Sequence, residues 1–138
     1  MRIGNARKTR LFAGAFIAAS MFLPIATCTQ NGKTVTFVPF RDLELLGVLI
    51  VYALPLVLVI AEFFARPHWP RITVLALESI GGGYSAYIIY AQVLLRTPTW
   101  IFYVLAAALI AYILTAIGAF IHAMRARRSL QLRPVLEQ

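Results

Sequence analysis

Two glutamates lie inside long apolar stretches of the sequence, where an ionisable side chain is costly enough that it usually serves a function. Glu62 stands four residues before Arg66, which is the favourable spacing and order for an ion pair on a helix. Glu78 stands seven residues inside the next apolar stretch, about 10 Å from its start on a helix. Two carboxyl groups held together away from water can retain one proton at neutral pH.

Two interpretations of these glutamates stay open. A tight turn between antiparallel helices would bring Glu62 and Glu78 to a similar depth beside Arg66 and Arg71, with His122 approaching from a fourth helix. In the first interpretation this cluster is a set of structural salt bridges that fixes the helices together. In the second, Glu78 is the ion-coupling group of a proton-coupled carrier.

A polar stripe is predicted along the third helix. Its members recur every seven residues, so they share one helix face and should point toward protein or water. They are Arg71, Glu78, Ser85 and Gln92, with Gly81 and Gly82 beside them. The glycine run 81–83 either permits close approach of a neighbouring backbone or loosens the helix at mid-membrane.

Small residues mark two further helix faces that are suited to close contact between helices. In the first helix Gly14 and Ala18 are four residues apart. In the fourth helix the small, weakly polar face consists of Ala108, Ala111, Thr115, Gly118 and His122. These faces predict a compact bundle in which the third helix is central.

The composition requires that these residues be positioned by membrane helices. Of 138 residues, 61% are hydrophobic and 13% are charged, against roughly 45–50% and about 25% in soluble domains. An ordinary soluble globule is therefore excluded. Because a membrane-spanning helix takes about 20 residues, the chain should form a single transmembrane domain, 1–138, with no catalytic domain outside the membrane.

The predicted fold is an all-α, antiparallel bundle of four transmembrane helices. Asp42 is the predicted N-cap of the second helix, and Pro55 should kink that helix. Prolines in the basic turn 66–71 separate the second helix from the third. The predicted helices cover 11–28, 43–64, 72–95 and 100–124, followed by a basic tail, 125–138.

The first segment has three interpretations. The uncharged run 11–28 is long enough to be a retained spanning helix, which is the interpretation we favour. Its basic start and small residues near Cys28 also match a cleaved signal peptide. The third interpretation is a lipoprotein signal, because residues 25–28 resemble its lipidation motif, with Thr27 where that motif has Gly, Ala or Ser. As the single cysteine, Cys28 excludes an intrachain disulfide and a multi-cysteine metal site.

The segment after the first helix is polar and favours β-structure. Asn31-Gly32 is a turn signal, and Val35 and Phe37 alternate with threonines. A short β-hairpin-like loop is therefore predicted on the extracytoplasmic side. It is too short to be stable alone, so it should pack on the helix ends.

The distribution of basic residues predicts the orientation. With four spans, ten Lys and Arg residues fall on the side of the two termini and three on the other, which places both termini in the cytoplasm. The expected location is a bacterial cytoplasmic (inner) membrane. Anionic lipid headgroups at the cytoplasmic face account for the basic ends, so no nucleic-acid partner is expected.

No motif in the sequence indicates an enzyme, a metal site or a bound cofactor. The leading hypothesis is an accessory, scaffold or assembly subunit of a larger membrane complex, which contacts other membrane subunits or copies of itself. One alternative is a small oligomeric proton-coupled carrier or channel using Glu78. The other is a holin-like or toxin-immunity protein.

In size and number of spans, the chain is similar to the small multidrug resistance transporters. That family carries its essential glutamate in the first helix, whereas residues 11–27 here contain no acid. The chain also resembles holins and immunity proteins against pore-forming toxins in its length and basic ends. These resemblances concern size and charge and assign no residue a role.

Overall fold

The computed structural model describes residues 3–64 and 69–136, with side chains described for 5–64 and 72–136. It is mostly helical, as the sequence predicts, with a small sheet at one end. In chain order the elements are α1 (Ile3–Ser20), β1 (Ala26–Gln30), β2 (Lys33–Phe37), α2 (Pro39–Asp42), α3 (Leu45–Val48), a π-helical segment (Leu49–Ala53), α4 (Leu54–Phe64), α5 (Trp69–Val93), β3 (Thr97–Pro98) and α6 (Trp100–Leu136). The predicted turn residues Arg66, Pro67 and His68 lie outside the described part of the chain.

Three helical stretches are long and apolar enough to cross a membrane. They are Leu45–Phe64, Ile72–Val93 and Trp100–Leu136. They correspond to the predicted second, third and fourth helices, and for these three the prediction of membrane-spanning length and composition is confirmed. We accordingly treat the chain as an integral membrane protein.

The predicted first helix, 11–28, is wrong at both ends. α1 runs over Ile3–Ser20, and residues 26–30 form strand β1 instead. Pro24 has no N–H for a helix, and the threonines that follow it favour an extended backbone. The basic residues before Leu11 belong to the helix rather than preceding it.

The ends of the other helices also differ from prediction. α6 continues through the predicted tail 125–138 as far as Leu136, because Arg, Ala, Leu and Gln in this segment are good helix formers. Asp42 is not the N-cap of the second spanning helix, since Glu44 holds that position without a side-chain hydrogen bond. Asp42 instead ends the short helix α2, and its Oδ2 accepts a hydrogen bond from the Val38 N–H.

Pro55 shapes the second spanning helix, which is continuous from Leu45 to Phe64. Proline cannot donate the helical hydrogen bond to the carbonyl four residues earlier, that of Val51. The π-helical segment Leu49–Ala53 lies at this point. The Ser85 hydroxyl of α5 donates to the freed Val51 carbonyl at 2.7 Å, so the neighbouring helix supplies the hydrogen bond that Pro55 removes.

The small sheet has the strand order β2-β1-β3, with β1 antiparallel to both neighbours. Asn31 and Gly32 connect β1 to β2 with φ angles of 52° and 75°, the left-handed backbone of a tight two-residue turn. The third strand, β3, has no signal in the sequence. The residue after β3, Thr99, contacts the segment between α1 and β1, where its hydroxyl donates to the Pro24 carbonyl at 2.8 Å.

Glycines allow the helices to approach closely at three points, one of which is Gly81 of α5, where an added Cβ would lie 3.2 Å from Leu58 of α4. A Cβ added at Gly14 in α1 would lie 3.2 Å from the Leu56 Cα of α4. One added at Gly82 in α5 would lie 3.0 Å from Ile113 and 3.1 Å from Tyr112, both in α6. Gly83, the next residue, is exposed with open space around it. The glycine run of α5 thus permits close packing, and the helix continues through it.

These contacts predict different results for neighbouring glycine variants. Gly82→Ala should destabilise the protein by about 1–3 kcal/mol, because the new methyl group overlaps side chains of α6 and forces α5 away. Gly83→Ala should be neutral or slightly stabilising, since alanine is the better helix former. Unfolding of both variants in mixed micelles, followed by circular dichroism, checks this. Equal losses in the two variants would contradict the packing described.

Candidate functional site

One buried side chain, Arg10 of α1, connects four helices. It is 1% exposed, and its Nη2 donates to both carboxylate oxygens of Glu62 at 2.8 Å. Its Nε lies 3.1 Å from Oε2 of Glu78. Its Nη1 donates to the backbone carbonyl of Thr115 at 3.1 Å. Arg10 therefore joins α1 to α4, α5 and α6 at one point.

Arg7 extends this group toward the surface. It lies one helical turn before Arg10, and its Nε is 3.6 Å from Oε1 of Glu62. Its side chain is 30% exposed, and its guanidinium stacks over the ring of Phe63 at 5.2 Å from the centroid. We call Arg7, Arg10, Glu62 and Glu78 the ion cluster.

The geometry of the ion cluster matches the chemistry of arginine. A guanidinium presents five N–H donors in a fixed planar fork and stays charged, so it can serve several acceptors at once. A lysine ammonium at position 10 could not reach three helices in this way. Glu62 and Glu78 are 1% and 0% exposed, and carboxylates so buried need a cation beside them.

The two carboxylates are not equally satisfied. Both oxygens of Glu62 accept hydrogen bonds from Arg10, and Arg7 adds a second cation. Both oxygens of Glu78 are buried and accept no hydrogen bond. The Arg10 Nε that lies beside Glu78 is likewise without a well-aligned acceptor. Within the described residues, Glu78 thus interacts with Arg10 as an ion pair, without a hydrogen bond to either of its oxygens.

The structure brings some of the proposed site residues together and leaves others apart. Glu62 and Glu78 meet, but through Arg10, which no sequence pattern described above singles out. Arg66 and the side chain of Arg71 lie outside the described residues. His122 is exposed on α6, and its place on that surface keeps it out of the ion cluster.

A spacing signal in the sequence could have revealed Arg10. If the first helix is started at residue 3, Arg7, Arg10, Gly14 and Ile17 follow intervals of three and four and line one face. Gly14 and Ile17 are buried on that face, as is Arg10. The arginine was assigned instead to the flank of a shorter helix because it precedes the uncharged run.

The polar stripe of α5 faces protein. Beyond Glu78, Ser85 donates to the Val51 carbonyl, and Oε1 of Gln92 accepts a hydrogen bond from the Tyr52 hydroxyl at 2.9 Å. The Tyr112 hydroxyl of α6 donates to the Pro55 carbonyl at 2.9 Å. These bonds tie α5 and α6 to the region where Pro55 disturbs the second spanning helix.

The predicted small-residue faces contribute unequally. Gly14 is buried, and Ala18, Ala108 and Ala111 are half-buried. The Thr115 hydroxyl bonds within its own helix, to the Ala111 carbonyl at 2.7 Å, while its backbone carbonyl serves Arg10. Gly118 is exposed with open space around it, so the small face of α6 packs only over its first part.

Cys28 lies in β1, where it is half-buried, carries a free thiol and pairs in register with Val35. No group of three or more His, Cys, Asp and Glu residues that could hold a metal ion is found within the described residues. Because arginine stays protonated, a change in the net charge of the ion cluster can come only from its carboxyl groups.

The bond from Ser85 to Val51 gives a test of the polar stripe. Ser85→Ala leaves the Val51 carbonyl without a donor, and we expect it to lower the free energy of unfolding by about 1 kcal/mol. Ser79→Ala is the matched control, because the Ser79 hydroxyl bonds to Leu75 of its own helix. Equal effects of the two variants, measured by unfolding in mixed micelles, would contradict this role.

Comparison of the chain with protein families, with curated proteins and with solved structures found no match.

Proposed function

We propose that this protein is an accessory or assembly subunit of a larger membrane complex, and that the end of α6 is the part that contacts another subunit. The supporting observation is that every residue from Arg128 to Leu136 is exposed. In the described part of the chain, the last buried residue of α6 is Ala116. The end of this helix is therefore free to contact another protein.

The length of α6 indicates where this segment lies. Its 37 residues extend over about 55 Å at about 1.5 Å per residue. The hydrocarbon core of a bilayer is about 30 Å thick. A helix that crosses the membrane from Trp100 therefore continues for several turns beyond it, as one rigid rod.

The side chains of this extension fit a protein partner. Leu132, Val135 and Leu136 are 58%, 69% and 84% exposed, and their spacing places them on one helix face. Arg128 and Arg133 lie on the same extension. An apolar face with arginines around it matches a groove that is apolar at its centre and acidic at its rim.

The charge distribution supports an orientation with both termini in the cytoplasm. Arg10 is buried, so it no longer counts as a topology signal, but nine basic residues remain on the side of the termini against three on the other. In this orientation the small sheet is extracytoplasmic and the arginines near the membrane face anionic headgroups. The membrane proposed is the bacterial cytoplasmic membrane.

We further propose that α1 is the fourth span. Its composition alone does not mark it as one, because Arg7, Lys8 and Arg10 lie within it. Pairing with Glu62 and Glu78 neutralises the deepest of these charges. At the opposite end, the carbonyl of Met21, the residue after α1, accepts a hydrogen bond from the Phe40 N–H of α2, the short helix that follows the β1–β2 hairpin.

Photo-cross-linking tests the subunit role. A photoreactive amino acid at position 132, on the exposed face of α6, should give a discrete product with a different membrane protein when membranes from the native host are irradiated. Position 95 is the matched control, because Leu95 is 90% exposed at the other end of the molecule and should give no such product.

Products that contain only copies of this chain would contradict the subunit role and favour the oligomeric carrier or the holin-like alternative. The same set of products from positions 132 and 95 would show that exposure alone determines cross-linking, and would also contradict the proposal.

A further inference from the structure

Two buried carboxyl groups share one edge of a single guanidinium. Both oxygens of Glu62 are bound by Nη2 of Arg10, and Oε2 of Glu78 lies 3.1 Å from Nε of the same side chain. Nη2 and Nε form one side of the planar guanidinium fork. The two carboxyl groups therefore lie side by side along this edge.

The charges at this point do not balance when every group is ionised. Among the residues whose side chains the structure describes, two carboxylates face one buried cation. Arg7 compensates only in part, because its ion pair is with Glu62, at 3.6 Å, and its side chain is 30% exposed. Two residues of α6 lie next to the ion cluster and add no charge to it. The carbonyl of Thr115 accepts a hydrogen bond from Arg10, and the hydroxyl of Tyr112 donates to the Pro55 carbonyl. The excess negative charge falls on Glu78.

A second observation, the lack of hydrogen bonds to Glu78, indicates that a proton is bound there. Glu78 is 0% exposed, and neither of its carboxyl oxygens takes part in a hydrogen bond. An ionised carboxylate in that condition is strongly unfavourable in an apolar interior. A protonated carboxyl group has an O–H to donate, and the adjacent Glu62 carboxylate is an acceptor within reach.

We propose that Glu62 and Glu78 together bind one proton, which is covalently attached to Glu78 and hydrogen-bonded to Glu62. Binding forms one O–H bond on Glu78 and removes one negative charge, so the remaining carboxylate balances Arg10. The ion cluster is then a one-proton binding site at the junction of four helices. Proton binding at this site is a property beyond the proposed subunit role, and it does not depend on a partner.

The proton of the ion cluster can exchange with the solvent, and its loss should affect the packing of the helices. Glu62 lies two residues before the end of α4, and Arg7 connects it to the surface on the side of the termini. Loss of the proton at alkaline pH places two like charges on one guanidinium. The carboxylate of Glu78 in α5 then repels that of Glu62 in α4, so the packing of these two helices should loosen as the pH rises on that side.

Infrared spectroscopy of the full chain in lipid tests the proposal. The C=O stretch of a protonated carboxylic acid should be present at pH 7 with the intensity of one group per chain, shift in D₂O, and disappear reversibly as the pH rises. The band should be lost in both Glu78→Gln and Glu62→Gln, because each leaves one carboxylate for Arg10. Glu44→Gln is the control, since Glu44 is exposed, and should retain the band.

Absence of the band from the folded wild-type protein at pH 7 would overturn the proposal, as would a band that survives both cluster variants. If a variant fails to fold, the pH titration of the wild-type band decides the matter by itself. The chain is studied alone, so this outcome is independent of whether a partner subunit is found.

Discussion

Burying the guanidinium of Arg10 is the constraint on which the arrangement of the helices depends. A cation taken out of water costs several kcal/mol unless acceptors surround it. The acceptors here come from three other helices: the carboxylates of Glu62 and Glu78 and the backbone carbonyl of Thr115. The helices that carry them must therefore pack around α1 in one rotation and at one depth.

The remaining polar contacts follow from that alignment. Once Glu78 faces Arg10, the heptad spacing of α5 turns Ser85 and Gln92 toward the second spanning helix, where Ser85 meets the carbonyl that Pro55 leaves without a donor. At the far end, Thr99 and the three-stranded sheet connect the end of α1 to the start of α6. Polar contacts thus lie at both ends of the packed helices, and a cluster of buried apolar side chains lies between them.

The sequence predicted those features of the fold and of the site that depend on the local chemistry of the chain. Hydropathy located the three helices that are long and apolar enough to span a membrane, and the depth of Glu62 and Glu78 along their helices singled them out. The role of Arg10 could not be read from hydropathy, because a charge beside an apolar run is the ordinary sign of a helix flank, and only its partners on other helices make it an interior residue. β3 was missed for a similar reason, since two residues carry no periodic pattern and depend on pairing with β1.

The most direct test compares the stability of Arg10→Gln with that of the triple variant Arg10→Gln, Glu62→Gln, Glu78→Gln. The single change leaves two buried carboxyl groups without the cation beside them and should lower the free energy of unfolding by about 3–5 kcal/mol. The exposed control Lys8→Gln should lower it little. The triple variant replaces the three fully buried charges by amides and should recover most of the loss, measured as the free energy of unfolding in mixed micelles. An Arg10→Gln variant as stable as Lys8→Gln would contradict the central role of the buried arginine.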